Sequence, residues 1–160
     1  MGGDGVVPCT MPILGIRGGG NPTSPLQVLP IELHVANRIF KRYHYLHSPL
    51  TVALRTYGIF YNGYIKGAIS YSRAAVHLNT LFDSLEEKYI YHLARFWVSD
   101  DLPKNTESKT LALSLRFIQK NGAKACVSYA DEGQGHIGTI YQACGVCRVT
   151  ADHARILWRN

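Results

Sequence analysis

At 160 residues, with 46% apolar and 18% charged side chains, the chain has the composition of one ordinary globular domain, neither disordered nor fibrous. No apolar run approaches the roughly 20 residues that span a bilayer, and no secretory signal opens the chain, so a cytoplasmic protein is expected. A formal charge of +6 favours a polyanionic partner, of which nucleic acid is the commonest.

Residues 1–25, with Gly18, Gly19, Gly20, Pro22 and Pro25 and no periodicity, are expected to form a tail, leaving 26–160 as the domain. The apolar run 26–30 predicts a first strand. Ile31, Val35, Ile39 and Tyr43 recur at helical spacing and predict a helix to about Tyr43, with Arg38, Lys41 and Arg42 on its other faces. Two strands come next, over 54–61 and 64–71, joined by Asn62-Gly63, a pair suited to a type I′ hairpin because both positions tolerate positive φ. Residues 93–99 predict another strand; the mixed stretch 74–91 carries no clear signal.

A polar loop over 100–109, with Pro103, leads to a helix over 110–121 marked by Leu111, Leu115 and Ile118, and Gly122 stands where its C-terminus needs it. A buried strand over 125–130, a Gly-rich loop over 132–138, a brief helix over 139–144 closed by Gly145, and strands over 146–150 and 155–158 complete the chain. This order predicts an α/β fold with a mixed central sheet flanked by helices.

Several motifs admit a functional and a structural reading. Gly133-Gln134-Gly135-His136-Ile137-Gly138 matches the dinucleotide fingerprint, but a Rossmann unit needs a long crossover helix, and Gly145 ends this one within two turns. Cys144-x-x-Cys147 has redox and zinc spacing, yet it sits at a helix end rather than a start, and Cys9 and Cys126 form no second pair. With four cysteines in all, reduced core thiols are expected.

His44 and His47 flank Tyr45 after the first helix, either as structural groups or as a proton-handling or metal site. Asp131 comes after Val127-Ser128-Tyr129-Ala130 at a strand tip, where α/β sheets bind ligands; helix capping is its alternative role. Lys104, Lys109, Arg116, Lys120 and Lys124, with Arg38, Lys41 and Arg42, frame a phosphate groove or two solvated helix faces. Tyr43, Tyr45, Tyr71, Tyr129 and Trp97 include candidates to stack on an extruded base, although most aromatics at this size are core.

The segment Ala94-Arg95-Phe96-Trp97-Val98-Ser99-Asp100-Asp101-Leu102-Pro103-Lys104-Asn105-Thr106-Glu107-Ser108-Lys109 resembles the central motif of the phage Mom DNA-modification family, a strand, a Leu-Pro turn and Asn-x-Glu-Ser opening a helix. Val127-Ser128-Tyr129-Ala130-Asp131, the Gly-rich loop and Gly138-Thr139-Ile140-Tyr141-Gln142-Ala143-Cys144-Gly145 resemble its second block, and Tyr43-His44-Tyr45 its early His-Tyr motif. The hairpin elements Tyr57-Gly58-Ile59-Phe60 and Lys66-Gly67-Ala68 also fit, so the likeness runs from about Leu26 to Val146.

That resemblance implies a single-domain GCN5-related N-acetyltransferase-like (GNAT) fold, with Ile140-Tyr141 and Gly145 similar to the acetyltransferase pattern in the last helix. It implies conversion of adenine in double-stranded DNA to N6-carbamoylmethyladenine, which protects phage DNA from restriction in the bacterial host cytoplasm. His44, Tyr45, Tyr129 and Asp131 would form the catalytic site, and Arg38, Lys41, Arg42 and Lys104 would contact DNA. Acetyl-coenzyme A or a related donor would lie against Asn105, Glu107, Ser108, Lys109 and Tyr141.

The sequence departs from the acetyltransferase pattern in the loop before the central helix, which has no glycine and carries Glu107. The resemblance also implies a metal, iron, for which His44 and Asp131 are suitable ligand types, and it leaves a homodimer open. The product has a methylene on N6 where acyl transfer would leave a carbonyl, so the donor or a later step must differ from ordinary acetyltransferase chemistry. Two other readings remain: a coenzyme A-dependent N-acetyltransferase acting on a protein or small amine, and a non-catalytic DNA-binding protein.

Overall fold

The computed structural model describes residues 24–73, 82, 85–129, 148–149 and 154–159. In chain order these form β1 (Leu26–Pro30), α1 (Leu33–Tyr43), β2 (Arg55–Tyr61), β3 (Tyr64–Arg73), a 3-10 turn (Glu87–Tyr89), β4 (Ile90–Val98), α2 (Thr106–Lys120), β5 (Ala125–Tyr129), β6 (Arg148–Val149) and β7 (Ala154–Arg159). The seven strands make one sheet in the order β1-β2-β3-β4-β5-β7-β6. Every neighbouring pair is antiparallel except β4 and β5, for which α2 is the crossover that a parallel pair requires. The mixed sheet expected from the sequence is therefore present. No helix among the described residues is long and apolar enough to cross a membrane.

Local chemistry sets the ends of these elements. Asn62 (φ 50°) and Gly63 (φ 82°) both take the left-handed backbone of a type I′ turn between β2 and β3. The first helix begins at Leu33 rather than Ile31, because the Ile31 N–H still bonds to the Thr56 carbonyl at the end of the sheet. Gly122 (φ 95°) ends α2, with its N–H on Gln119 O and the Ala123 N–H on Ile118 O, as the sequence predicts.

The two helices cover opposite faces. Adjacent β3 residues show this: Ile69 packs in a core with Leu111 and Ile118 of α2, whereas Ala68 packs with Ala36 and Phe40 of α1. Gly67 lets β3 approach β4 closely, since a Cβ there would overlap the Trp97 carbonyl.

Two irregularities in β4 determine which of its side chains reach each face. Pairing with β5 runs from Ile90↔Ala125 only to His92↔Val127, while β4 continues to Val98, so the parallel strands part. On its other edge, Ser70 pairs with Arg95 but Tyr71 with Leu93, leaving Ala94 as a bulged residue. The bulge changes the facing: Leu93 and Phe96 both join the α2-side core, and Trp97 faces α1.

Candidate active site

His44 is buried because it extends a row that α1 begins. Ala36 and Phe40 are fully buried at i and i+4, and His44, the C-cap residue, continues the row at i+8 with its ring edge-on to Phe40 at 6.0 Å. A tight turn comes next. The His44 carbonyl accepts the His47 N–H at 2.8 Å, and His44 Nδ1 accepts the Leu46 N–H at 3.2 Å. His47 takes a left-handed backbone (φ 44°) with its ring Nδ1 3.1 Å from the Lys41 carbonyl, and the Tyr45 ring leans on His44 at 4.4 Å.

Burial, with the positive charge of Arg95 and then of His47 adding to it, lowers the His44 pKa from 6.5 to about 4, so the ring is neutral at pH 7. A backbone N–H can only donate, so Nδ1 presents its lone pair to Leu46 and the ring proton sits on Nε2. Nε2 is thus a hydrogen-bond donor. An imidazole that ligates a metal needs one nitrogen lone pair for the ion and donates from the other nitrogen, so the hydrogen bonding of His44 does not fit the iron reading. Among the described residues no three His, Cys, Asp or Glu side chains are grouped to hold a metal.

Across from the turn, the bulged half of β4 delivers Arg95. Its guanidinium donates to the Ala94 carbonyl at 2.8 Å and to Ser48 Oγ at 3.3 Å, while its buried Nε has no partner. Neither contact brings a carboxylate to the Arg95 charge. Two positions along, Trp97 stacks on Tyr43 at 4.4 Å and 12°, tying β4 to the end of α1. On the same strand His92 lies near Ser72 Oγ (3.3 Å), and burial, with the Arg95 charge as the smaller cause, lowers its pKa.

At the other end of β4, the Ser99 N–H bonds to the Lys66 carbonyl, and Lys66 Nζ pairs with Asp101 at 2.8 Å, anchoring the loop into α2. The loop lacks glycine, yet Asn105 supplies what glycine would: it holds φ 67° at the N-cap of α2. Its carbonyl receives the Lys109 N–H and Ser108 Oγ–H, leaving its side chain out of the cap. The helix opens one turn earlier than the sequence predicts, at Thr106, so Glu107, Ser108 and Lys109 belong to its first turn. A helix N-terminus with no side-chain cap, beside Lys109, fits a pyrophosphate, with Glu107 as the opposing charge.

The sequence-derived residues therefore divide. His44 and Tyr45 lie in contact, and Arg38, Lys41 and Arg42 are exposed on the helix leading to them. Asn105, Glu107, Ser108 and Lys109 cluster at α2, next to exposed Lys104. Tyr129 ends β5, two residues before Asp131; Asp131, Tyr141, both Gly-rich motifs and Cys144-x-x-Cys147 lie outside the described residues. Of the stacking candidates, Tyr71 is core, fully buried with its hydroxyl 2.6 Å from Ser114 Oγ. Cys126 is likewise buried, and burial raises its thiol pKa, as expected of a core cysteine. Sequence reasoning missed Arg95; its only signal was a charge between Ala94 and Phe96 in an apolar strand.

The chain is similar to known proteins in sequence and in fold. The Mom protein family model matches residues 25–155. The chain belongs to the Mom protein family. A curated relative, the methylcarbamoylase mom of Escherichia phage Mu, is 27% identical over 133 residues, covering 78% of this chain and 53% of the relative. This Mom-family chain thus spans about half the length of that relative.

Solved structures similar to it are GNAT acetyltransferases. One, from Brucella melitensis in complex with acetyl-CoA, has a TM-score of 0.56 at 15% identity, with 84% of this chain and 88% of that chain covered. The yncA chain of Salmonella typhimurium with its cofactor acetyl-CoA gives 0.57 at 15% identity, with 80% and 82% covered. The GNAT domain of S. lividans PAT gives 0.56 at 11% identity, with 82% and 88% covered. The fold is that of the GNAT acetyltransferases.

Proposed function

We propose that this Mom-family chain modifies adenine in double-stranded DNA, placing a carbamoylmethyl group on N6 from a coenzyme A-related donor that carries the group through its methylene carbon. The observation that carries this reading is the family match across 25–155, which includes both the His44 turn and the Asn105–Lys109 segment. The relative's name, methylcarbamoylase, supplies the group transferred. Donor binding at α2 is supported by the acetyl-CoA complexes of the fold neighbours and by the left-handed Asn105.

Adenine N6 is reachable only when the base leaves the stack. In the proposed site Tyr45 stacks on the extruded base, and neutral His44 donates from Nε2 to a ring nitrogen, holding N6 toward the parted strands. Burial, reinforced by Arg95, keeps His44 neutral, and Arg95 provides a fixed positive charge beside it. Because Nε2 already carries a proton, removal of the N6 proton falls to another group, for which Asp131 is our candidate, with Tyr129 beside it. A bound donor would supply an electrophilic methylene carbon bearing the carboxamide, its leaving group departing as the N6–C bond forms; Lys109 and the first-turn N–H groups of α2 would hold its phosphates. The basic face of α1, with Lys104, tracks the DNA backbone, and the reaction takes place in the cytoplasm of an infected bacterium.

The acetyl-CoA-bound fold neighbours favour a second reading, an ordinary N-acetyltransferase. Purified protein incubated with a bacterial extract as donor source and duplex DNA separates the two. Nucleoside mass spectrometry should show a carbamoylmethylated deoxyadenosine. Acetyl-coenzyme A turnover with amines, and unaltered DNA, would establish the second reading instead.

A further inference from the structure

The turn beside His44 carries two consecutive large hydrophobic side chains that are both exposed. Among the described residues the exposed large hydrophobic side chains are Tyr45 (44%), Leu46 (46%), Val52 (71%) and Tyr64 (47%). Tyr45 and Leu46 are consecutive and come directly after the buried histidine. We infer that Leu46 is the wedge that enters the base stack when the target adenine leaves it. This rests on duplex adenine being the substrate.

Rigidity is the first support. A wedge must hold its shape while pushing between bases, and this turn is braced by Leu46 N–H to His44 Nδ1, His47 N–H to the His44 carbonyl, and His47 Nδ1 to Lys41 O. The left-handed backbone of His47, which a non-glycine residue adopts at a cost, keeps the turn tight. Its base is fixed by Phe40 against His44 and by the Tyr43–Trp97 stack.

Charge is the second. Arg38, Lys41 and Arg42 are exposed on one side of α1, whose first turn carries no acid, and Arg42 lies over the Tyr43 ring at 5.2 Å. A row of cations leading to an apolar tip matches a phosphate backbone leading to a base step. The occupant of this surface is therefore duplex DNA. Position divides the labour: Tyr45, beside the His44 ring, stacks on the extruded base, so Leu46 is the side chain left to fill the gap. An apolar group there replaces stacking contacts that the departing base gives up.

The test compares wild type and Leu46→Ala on two duplexes, one with the target adenine paired to thymine and one with it opposite an abasic site. Extrusion is easier in the second, so the wedge matters less. Leu46→Ala should lower the modification rate on the paired duplex at least about tenfold, and by no more than about threefold on the abasic one. Leu46 is exposed, so the variant folds; circular dichroism confirms it. Equal losses on both duplexes, or none on either, overturn the wedge. A wild-type protein that modifies neither duplex overturns the functional reading and the wedge with it.

Discussion

His44 is held neutral by burial and by Arg95, and both effects can be measured. In the folded protein its pKa is about 4 against 6.5 in an unfolded chain, which amounts to roughly 3 kcal/mol. The unfolded state takes up the proton first as pH falls, so this contribution is complete above pH 6.5 and is lost progressively toward about pH 4. Urea unfolding across that window should show falling stability, and His44→Asn should flatten the slope, His92 accounting for what remains. A variant with the wild-type slope would mean that His44 is not held neutral. Arg95→Gln removes the nearby charge, so the His44 titration measured by NMR should move upward; an unmoved midpoint would contradict the coupling.

At the scale of elements, the N-terminus of α2 carries the donor assignment. Asn105→Gly keeps the left-handed backbone and should be tolerated, whereas Asn105→Val should cost about 1–2 kcal/mol in thermal unfolding. Lys109→Ala should raise the donor KM with little change in DNA affinity, and an unchanged KM would displace the donor from this helix. Which elements were legible depends on how local their causes are. Asn62-Gly63 and Gly122 were readable because positive φ is a requirement of a single position. The apolar spacing of α1 pointed to Val35 and Ile39, but Ala36 and Phe40 are the buried row. A small residue beside an aromatic gives a weak periodic signal, so the burial of His44 was hidden as well. Residues 106–109 were read as loop, although α2 opens at Thr106 behind a left-handed Asn105 that stands where a glycine would.

For the whole molecule, the site depends on two strands parting, and no local pattern encodes that. Ala94 is an unremarkable residue whose bulge changes the facing of β4, so Arg95 could not be assigned to the α1 side from alternation alone. What the sequence did carry over long range was the order of elements, enough for a mixed sheet with α2 between its parallel strands. The measurement that bears most directly on the proposed adenine chemistry is nucleoside analysis of DNA from bacteria expressing the protein. Wild type should yield carbamoylmethylated deoxyadenosine, and soluble, folded His44→Ala should yield none. Unmodified deoxyadenosine from cells rich in soluble wild-type protein, or full modification by His44→Ala, would contradict it.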